Sequence, residues 1–235
     1  MTANQTPTAR RLSAATEDYL KAIYELQAVE GVAHTSAIAQ ALELAPPSVT
    51  GMVKRLEESG LLQHTPYKGA QLTTAGRRTA LRLVRRHRIL EVYLAAKLGY
   101  DWDSVHAEAE LLEHAVSDEL VERMALALGN PRYDPHGAPI PSKEGVVEEP
   151  VLIPLSEIPV GTMAELRQVS DRDAERLRYL ARMGLRLGTV FEVVARQPFR
   201  GPVTVRVSAT SARDQVVGHQ LAESLGCVPR GREVG

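Results

Sequence analysis

The sequence predicts a mostly α-helical chain that opens with a winged helix-turn-helix and closes with a small β-rich module. Three observations carry this expectation. Gly and Pro punctuate a series of amphipathic helices up to Leu128. The run GLLQHTPYKGAQLTTAG supplies strand, basic turn, strand and the next helix start directly after the third helix. Beyond Val151, short β-branched runs replace the helical period.

The first helix is expected from about Ser13 to Val29, with Tyr19, Leu20, Ile23, Tyr24 and Leu26 as its apolar face and Gly31 past its end. A short helix near Ser36–Leu42 and a break at Leu44-Ala45-Pro46-Pro47 precede a longer helix over Pro47–Ser59, where Pro suits the first turn and Gly60 the cap. Leu61–Thr65 and Ala70–Thr73 read as two short strands around a turn at Pro66–Gly69. Thr74 caps a long helix to about Leu98, stopped by Gly99. Helices over Ser104–Val116 and Asp118–Leu128 follow, the last closed by Gly129. Asn130–Pro150 holds five prolines and reads as a linker. Val190–Ala195 and Val203–Val207 are the clearest later strands, and the Arg-rich run RDAERLRYLARMGLRLG reads as a solvated helix.

At 235 residues the chain accommodates one large domain or two to three small ones, and 44% hydrophobic content supports ordinary cores. The absence of any run of 18 apolar residues argues against a transmembrane helix and a membrane partner. Met1 to Leu12 lacks the apolar core of a signal peptide and reads as a disordered tail. Cys227 is the single cysteine, which excludes an internal disulfide and a thiolate metal cage and fits the cytoplasm. The net charge of −1 conceals segments of +5 over 1–90, −10 over 91–160 and +4 over 161–235. A basic first segment suits a polyanion, and an acidic middle suits cations.

His106, Glu110, Glu113 and His114 fall within an arc of about 100° on one predicted helix. His87 and Glu91 repeat the i, i+4 spacing on the helix before it. Like charges three and four residues apart repel, so Glu110 and Glu113 call for a cation between them. A solvated polar stripe is the bland alternative, and Val105, Ala109 and Leu112 flanking the set weigh against it. His34, His64, His136 and His219 are isolated and read as structural or surface residues.

In a helix-turn-helix the second helix offers its N-terminal residues to base edges. Here these are Pro47, Ser48 and Thr50, with Gly51 permitting close approach; Thr35 and Ser36 open the helix before it. Lys54 and Arg55 are placed for phosphates or bases, and Lys68, Arg10 and Arg11 suit phosphates.

The runs TEDYLKAIYEL, PPSVTGMVKRLEESGLL, RHRILEVYL, VHAEAELLEHAVSDELVERM and DPHGAPIP together resemble the diphtheria toxin repressor and manganese transport regulator family over nearly the whole chain. The resemblance implies a metal-activated, homodimeric DNA-binding repressor of metal-uptake genes acting on a palindromic operator. It also implies a winged helix-turn-helix over residues 1–74, a helical dimerisation and metal-binding domain over 75–140, a linker over 141–150 and an SH3-like β-barrel over 151–235, related to ferrous-iron-transport accessory modules. Carried over by position, Asp18, Glu110, Glu113 and His114 form a primary metal site. His87, Glu91 and His106 form a second, completed from the barrel by Asp171 or, less well, Gln168. Iron-responsive relatives have Met and Cys where Asp18 and Glu110 stand. The hard carboxylate set therefore points to Mn(II) at two sites per protomer, with Fe(II) as competitor. Lys21 stands where some manganese regulators carry an acid that bridges two metals, which favours two separated sites.

Two other readings stand beside this one. A winged-helix regulator sensing an organic ligand would leave the His/Glu face structural. A carboxylate-bridged metalloenzyme would use Glu-x-x-His pairs, and none occurs; no Gly-rich phosphate loop or nucleophile elbow occurs either, so no enzyme is expected.

Overall fold

The computed structural model describes residues 12–65, 68–170, 173–207 and 214–230. The expected tail with Arg10 and Arg11, and Asp171, lie outside them. The chain divides into two compact units, Met1–Arg85 and Arg86–Gly235.

The first unit follows the expected order: α1 (Ala14–Glu30), α2 (Thr35–Ala41), α3 (Pro46–Glu58), β1 (Leu62–Thr65), β2 (Gly69–Leu72) and the start of α4 (Thr74–Leu98). Each boundary has a local cause. Ser13 Oγ accepts from Thr16 N–H at the start of α1, a cap worth about 1 kcal/mol. Gly31 ends α1 in the left-handed region at φ 76°. Pro46 and Pro47 occupy the first turn of α3, where their missing N–H groups go unmissed. The cap of α4 sits one residue earlier than expected, since Thr73 Oγ1 accepts from Gly76 N–H at 3.1 Å. Leu20, Ile23, Ile38, Val49, Val53, Leu56 and Leu62 are buried between the helices and the wing. The antiparallel β1–β2 hairpin pairs Leu62 with Leu72 and Thr65 with Gly69. Two side chains fasten it to the helices: Gln27 Oε1 accepts from Leu72 N–H, and Glu57 Oε1 from His64 N–H. This is the winged helix-turn-helix the sequence predicts.

In the second unit, α4 continues and is followed by α5 (Val105–Glu113) and α6 (Asp118–Ala127). Leu90 and Leu94 pack on Val105 and Ala109, and Ile89 packs on Val121 and Ala125. Helix α5 stops at Glu113 rather than continuing to Val116, which leaves His114 at its C-cap. Arg86 bridges the α5–α6 turn, donating to the carbonyl of Glu113 at 3.1 Å and to Asp118 at 3.0 Å.

Six antiparallel strands then form one sheet: β3 (Ile153–Pro154), β4 (Met163–Gln168), β5 (Val190–Arg196), β6 (Val203–Val207), β7 (Gln215–Val217) and β8 (Gly226–Arg230), in the order β3-β8-β4-β5-β6-β7. Register shifts in β4 and β5 mark bulges. Helices α7 (Ala174–Arg182) and α8 (His219–Glu223) lie between strands, α7 being the expected Arg-rich helix. Leu155, Leu166, Leu177, Phe191, Val193, Val205 and Cys227 fill the core, with Trp102 from the α4–α5 connection packed against it. No helix among the described residues is long and apolar enough to cross a membrane.

The Pro-rich stretch after α6 is more ordered than a linker needs to be. Asp134 N–H donates to Ala138 O, while Asp134 Oδ1 accepts from His136 N–H and Ala138 N–H, which closes a tight turn. Val169 N–H donates to His136 O at 3.0 Å and ties the turn to the end of β4. Gly137 makes the approach possible: at φ +87°, a Cβ there would lie 1.9 Å from Arg167 O.

Candidate metal centre

Glu91 is fully buried on the inner face of α4. Its Oε1 lies 3.1 Å from His87 Nε2 and 3.1 Å from His106 Nδ1, and those two nitrogens are themselves 3.1 Å apart. One turn of α4 sets His87 over Glu91, and α5 brings His106 across from them. Burial alone would raise the Glu91 carboxyl. Hydrogen bonds from His106 and His87, with the charges of His87 and His136, overcome it and hold the group down at about 2.

The chain past α6 contributes to the same place. Asp134 and His136, 5% and 1% exposed, form with Glu91 a buried cluster whose ligand atoms lie within 4.8 Å of one another. His136 Nδ1 stands 3.8 Å from Glu91 Oε1. Burial, then the charge of Glu91, raises the Asp134 carboxyl to about 6; Arg88, with its Nε 3.5 Å from Oδ2, pulls the other way. Glu91 Oε2, Asp134 Oδ2 and His136 Nδ1 are buried without a hydrogen-bond partner among the described residues. Buried polar atoms left in this way are costly unless something polar joins them.

The tautomers follow from the outer partners. His87 Nδ1 lies 2.6 Å from Glu113 Oε2, and His136 Nε2 lies 2.6 Å from the carbonyl oxygen of Trp102. Each partner is an acceptor, so each of these nitrogens donates outward; without an ion the inner nitrogen of His87 donates to Glu91, and loss of that proton would free its lone pair for a metal. A carboxylate or carbonyl behind an imidazole is the usual support of a metal-ligating histidine. Six-coordinate ions with bonds of roughly 2.2 Å hold neighbouring ligands roughly 3.1 Å apart, so the His87, Glu91 and His106 spacing suits a hard or borderline divalent ion. The donor set is nitrogen and carboxylate oxygen only. Cys227 stands apart, fully buried in the sheet core, with burial pushing its thiol up to about 12.

Of the primary candidates, Asp18 stands on α1 in the first unit, and Glu110, Glu113 and His114 stand at the C-terminal end of α5 in the second. Glu113 is buried, with its Oε1 3.6 Å from His114 Nε2. Glu110 is half exposed and faces back toward His106, at 3.5 Å. Of the second-site candidates, His87, Glu91 and His106 come together. Gln168 ends β4, one residue before the Val169 that is hydrogen-bonded to His136 O. From sequence His136 reads as a structural or surface residue, and Asp134 carries no signal of its own. Neither has a helical partner to signal it; the DPHG turn itself was the available cue. Trp102, the only tryptophan, adds a ring stacked 6.4 Å from that of His136, under the guanidinium of Arg186.

On the first unit, Pro47, Ser48, Thr50, Gly51, Lys54 and Arg55 are all exposed on α3. Thr50 Oγ1 donates to the Pro46 carbonyl, so its hydroxyl hydrogen is already used and its methyl remains for contacts. Lys54 lies 3.9 Å from Glu58, an exposed pair worth little. Thr35 and Ser36 begin α2, and exposed Lys68 sits in the wing turn.

Three family profiles match in succession: "Iron dependent repressor, N-terminal DNA binding domain" over residues 11–70, "Iron dependent repressor, metal binding and dimerisation domain" over 73–142, and "FeoA domain" over 153–225. The chain is 32% identical over 192 residues to the diphtheria toxin repressor of Corynebacterium glutamicum, covering 77% of this chain and 84% of that protein. It is 39% identical over 109 residues to the HTH-type transcriptional regulator MntR of Lysinibacillus sphaericus, covering 46% of this chain and 78% of that protein. A solved manganese-dependent transcriptional repressor in complex with manganese superposes with a TM-score of 0.85 at 37% identity, covering 92% of this chain and all of that one. The six-stranded sheet is thus the SH3-like module expected at the C-terminal end.

Proposed function

The chain belongs to the iron-dependent repressor family of metal-dependent transcriptional repressors, and from that premise we propose that Mn(II) is the ion that activates it, with Fe(II) as competitor. One observation supports this most: a fully buried carboxylate, Glu91, flanked by His87, His106 and His136, with the outer nitrogens of His87 and His136 hydrogen-bonded from behind. The absence of thiolate and thioether from the ligand set argues for the harder ion.

Two ions per protomer are proposed. The second site comprises His87, Glu91 and His106, to which Asp134 and His136 are added. Asp171 is the proposed barrel ligand and Gln168 its alternative. The primary site comprises Asp18, Glu110, Glu113 and His114, and this set rests on the chemistry of the residues and their match to the family pattern. A bound divalent cation would supply the positive charge that three carboxylates need in order to share one site. Asp18 belongs to the first helix of the DNA-binding domain, so ligation through it ties that helix to the dimerisation domain. The ion acts by binding one arrangement better than the other, and that difference limits the size of the switch.

The proposed division is 1–74 for DNA binding, 75–140 for dimerisation and metal binding, 141–150 as linker and 151–235 as barrel. A homodimer presents two α3 helices to the half-sites of a palindromic operator, in the cytoplasm, and represses metal-uptake genes. Pro47, Ser48, Thr50 and Gly51 meet base edges, while Thr35, Ser36, Lys54, Arg55 and Lys68 serve mainly phosphates.

The test is operator binding by purified protein, titrated anaerobically with Mn(II) and with Fe(II) at fixed salt. Half-maximal binding at lower free Mn(II) than Fe(II) is expected. DNA binding that ignores both ions refutes the proposal.

A further inference from the structure

Gly51 is the sixth residue of the thirteen in α3, an interior position where glycine weakens a helix relative to alanine. At two other glycines a close approach of backbone supplies the reason. A Cβ at Gly76 would strike Leu61 O at 1.9 Å, and one at Gly137 would strike Arg167 O at the same distance. At Gly51 an added Cβ meets nothing within 4 Å, and the backbone has no positive φ. Nothing inside the unit requires the missing side chain. What lies at −4, −3, +3 and +4 on the same helical face is Pro47, Ser48, Lys54 and Arg55, all exposed. Gly51 is therefore the bare centre of a face edged on one side by small or rigid residues and on the other by two cations.

We propose that Gly51 sets how deeply α3 seats in the major groove of double-stranded DNA, and that the base pair opposite it is selected by close steric fit without a side-chain hydrogen bond. This rests on the DNA-binding reading above. The partner is duplex DNA because the bare patch sits on the second helix of a helix-turn-helix with basic residues one turn along, the arrangement that meets groove floor and phosphates together. Thr50, its hydroxyl hydrogen tied to Pro46 O, offers a methyl beside the patch. Gly51 itself thus offers no side-chain donor to a base edge opposite it, and closeness of approach takes its place there.

The full-length parent, Gly51→Ala and Gly51→Gln are compared with Mn(II) at one salt concentration. The probes are duplexes that the parent itself enriches from a random double-stranded library, and a scrambled duplex of equal length. Gly51→Ala should melt a few degrees higher, because alanine favours an open helix position. It should nonetheless bind the enriched duplex about tenfold more weakly, while affinity for the scrambled duplex changes by less than about twofold. An alanine variant that melts lower than the parent, or that binds the enriched duplex undiminished, overturns the proposal. Fresh selection with Gly51→Gln should change the preferred base at one position per half-site, because glutamine reads adenine; an unaltered preference overturns the steric-selection part. If the parent enriches no duplex at all, the DNA-binding reading fails first and takes this inference with it.

Discussion

Replacing Glu91 with Gln keeps the shape and one acceptor oxygen of the side chain and deletes only its charge. The group is fully buried and held at about 2, which on the pKa scale corresponds to about 3 kcal/mol of preference for the ionised form over a free glutamate. A depressed acid contributes stability above its unfolded pKa and loses it as pH falls toward the folded value. In the metal-free protein at pH 7, Glu91→Gln should therefore cost up to about 3 kcal/mol, less whatever Asp134 gains when the neighbouring charge disappears. The gap between parent and variant should narrow as pH is lowered from about 5 toward 2. The second effect concerns the metal. Parent protein with Mn(II) at about 100 times Kd should gain about 2.7 kcal/mol per site, and the variant should lose that gain at one site only. Denaturant unfolding with and without Mn(II), alongside calorimetric titration, reads both effects. A variant as stable as the parent without metal, and still binding two ions at parental affinity, would refute the account of Glu91 as the anionic hub.

Asp18→Ala should leave Mn(II)-stimulated DNA binding absent while calorimetry still finds the second site; stimulation at the parental level would remove Asp18 from the switch. The raised pKa of Asp134 means that its proton stabilises the metal-free fold at low pH and that this contribution is lost as pH rises through about 6. Metal binding must displace that proton, so Mn(II) affinity should fall as pH drops below about 6, with proton release visible as buffer-dependent binding enthalpy. Asp134→Asn should release fewer protons, and equal release would exclude Asp134 from the site. Gly137→Ala should loosen the DPHG turn from β4 and cost about 1–3 kcal/mol, since an L-residue at φ +87° is strained and its Cβ would meet Arg167 O; unchanged unfolding would show that the backbone yields there freely.

Much of the fold was legible because breakers and periodicity agree: Gly31, Pro46, Pro47, Gly60 and Gly99 sit where helices end or begin. The boundaries that moved did so through local hydrogen bonding, with Thr73 rather than Thr74 capping α4 and α5 ending at Glu113. The helical half of the site was legible for the same reason, since the i, i+4 spacing of His87 and Glu91 states a shared face. Asp134 and His136 were not, because they lie in a Pro-rich turn without a period. Only tertiary packing, with Gly137 against Arg167 O and Val169 bonded to His136, carries that turn to Glu91.

The lone indole of Trp102 has a practical consequence. All tryptophan emission from this chain originates beside His136, whose ring is held by the same residue's carbonyl oxygen. Paramagnetic Mn(II) seated there should dim that light, and a diamagnetic ion should only shift it. Unlabelled protein would then report optically which kind of ion has arrived, without any engineered probe.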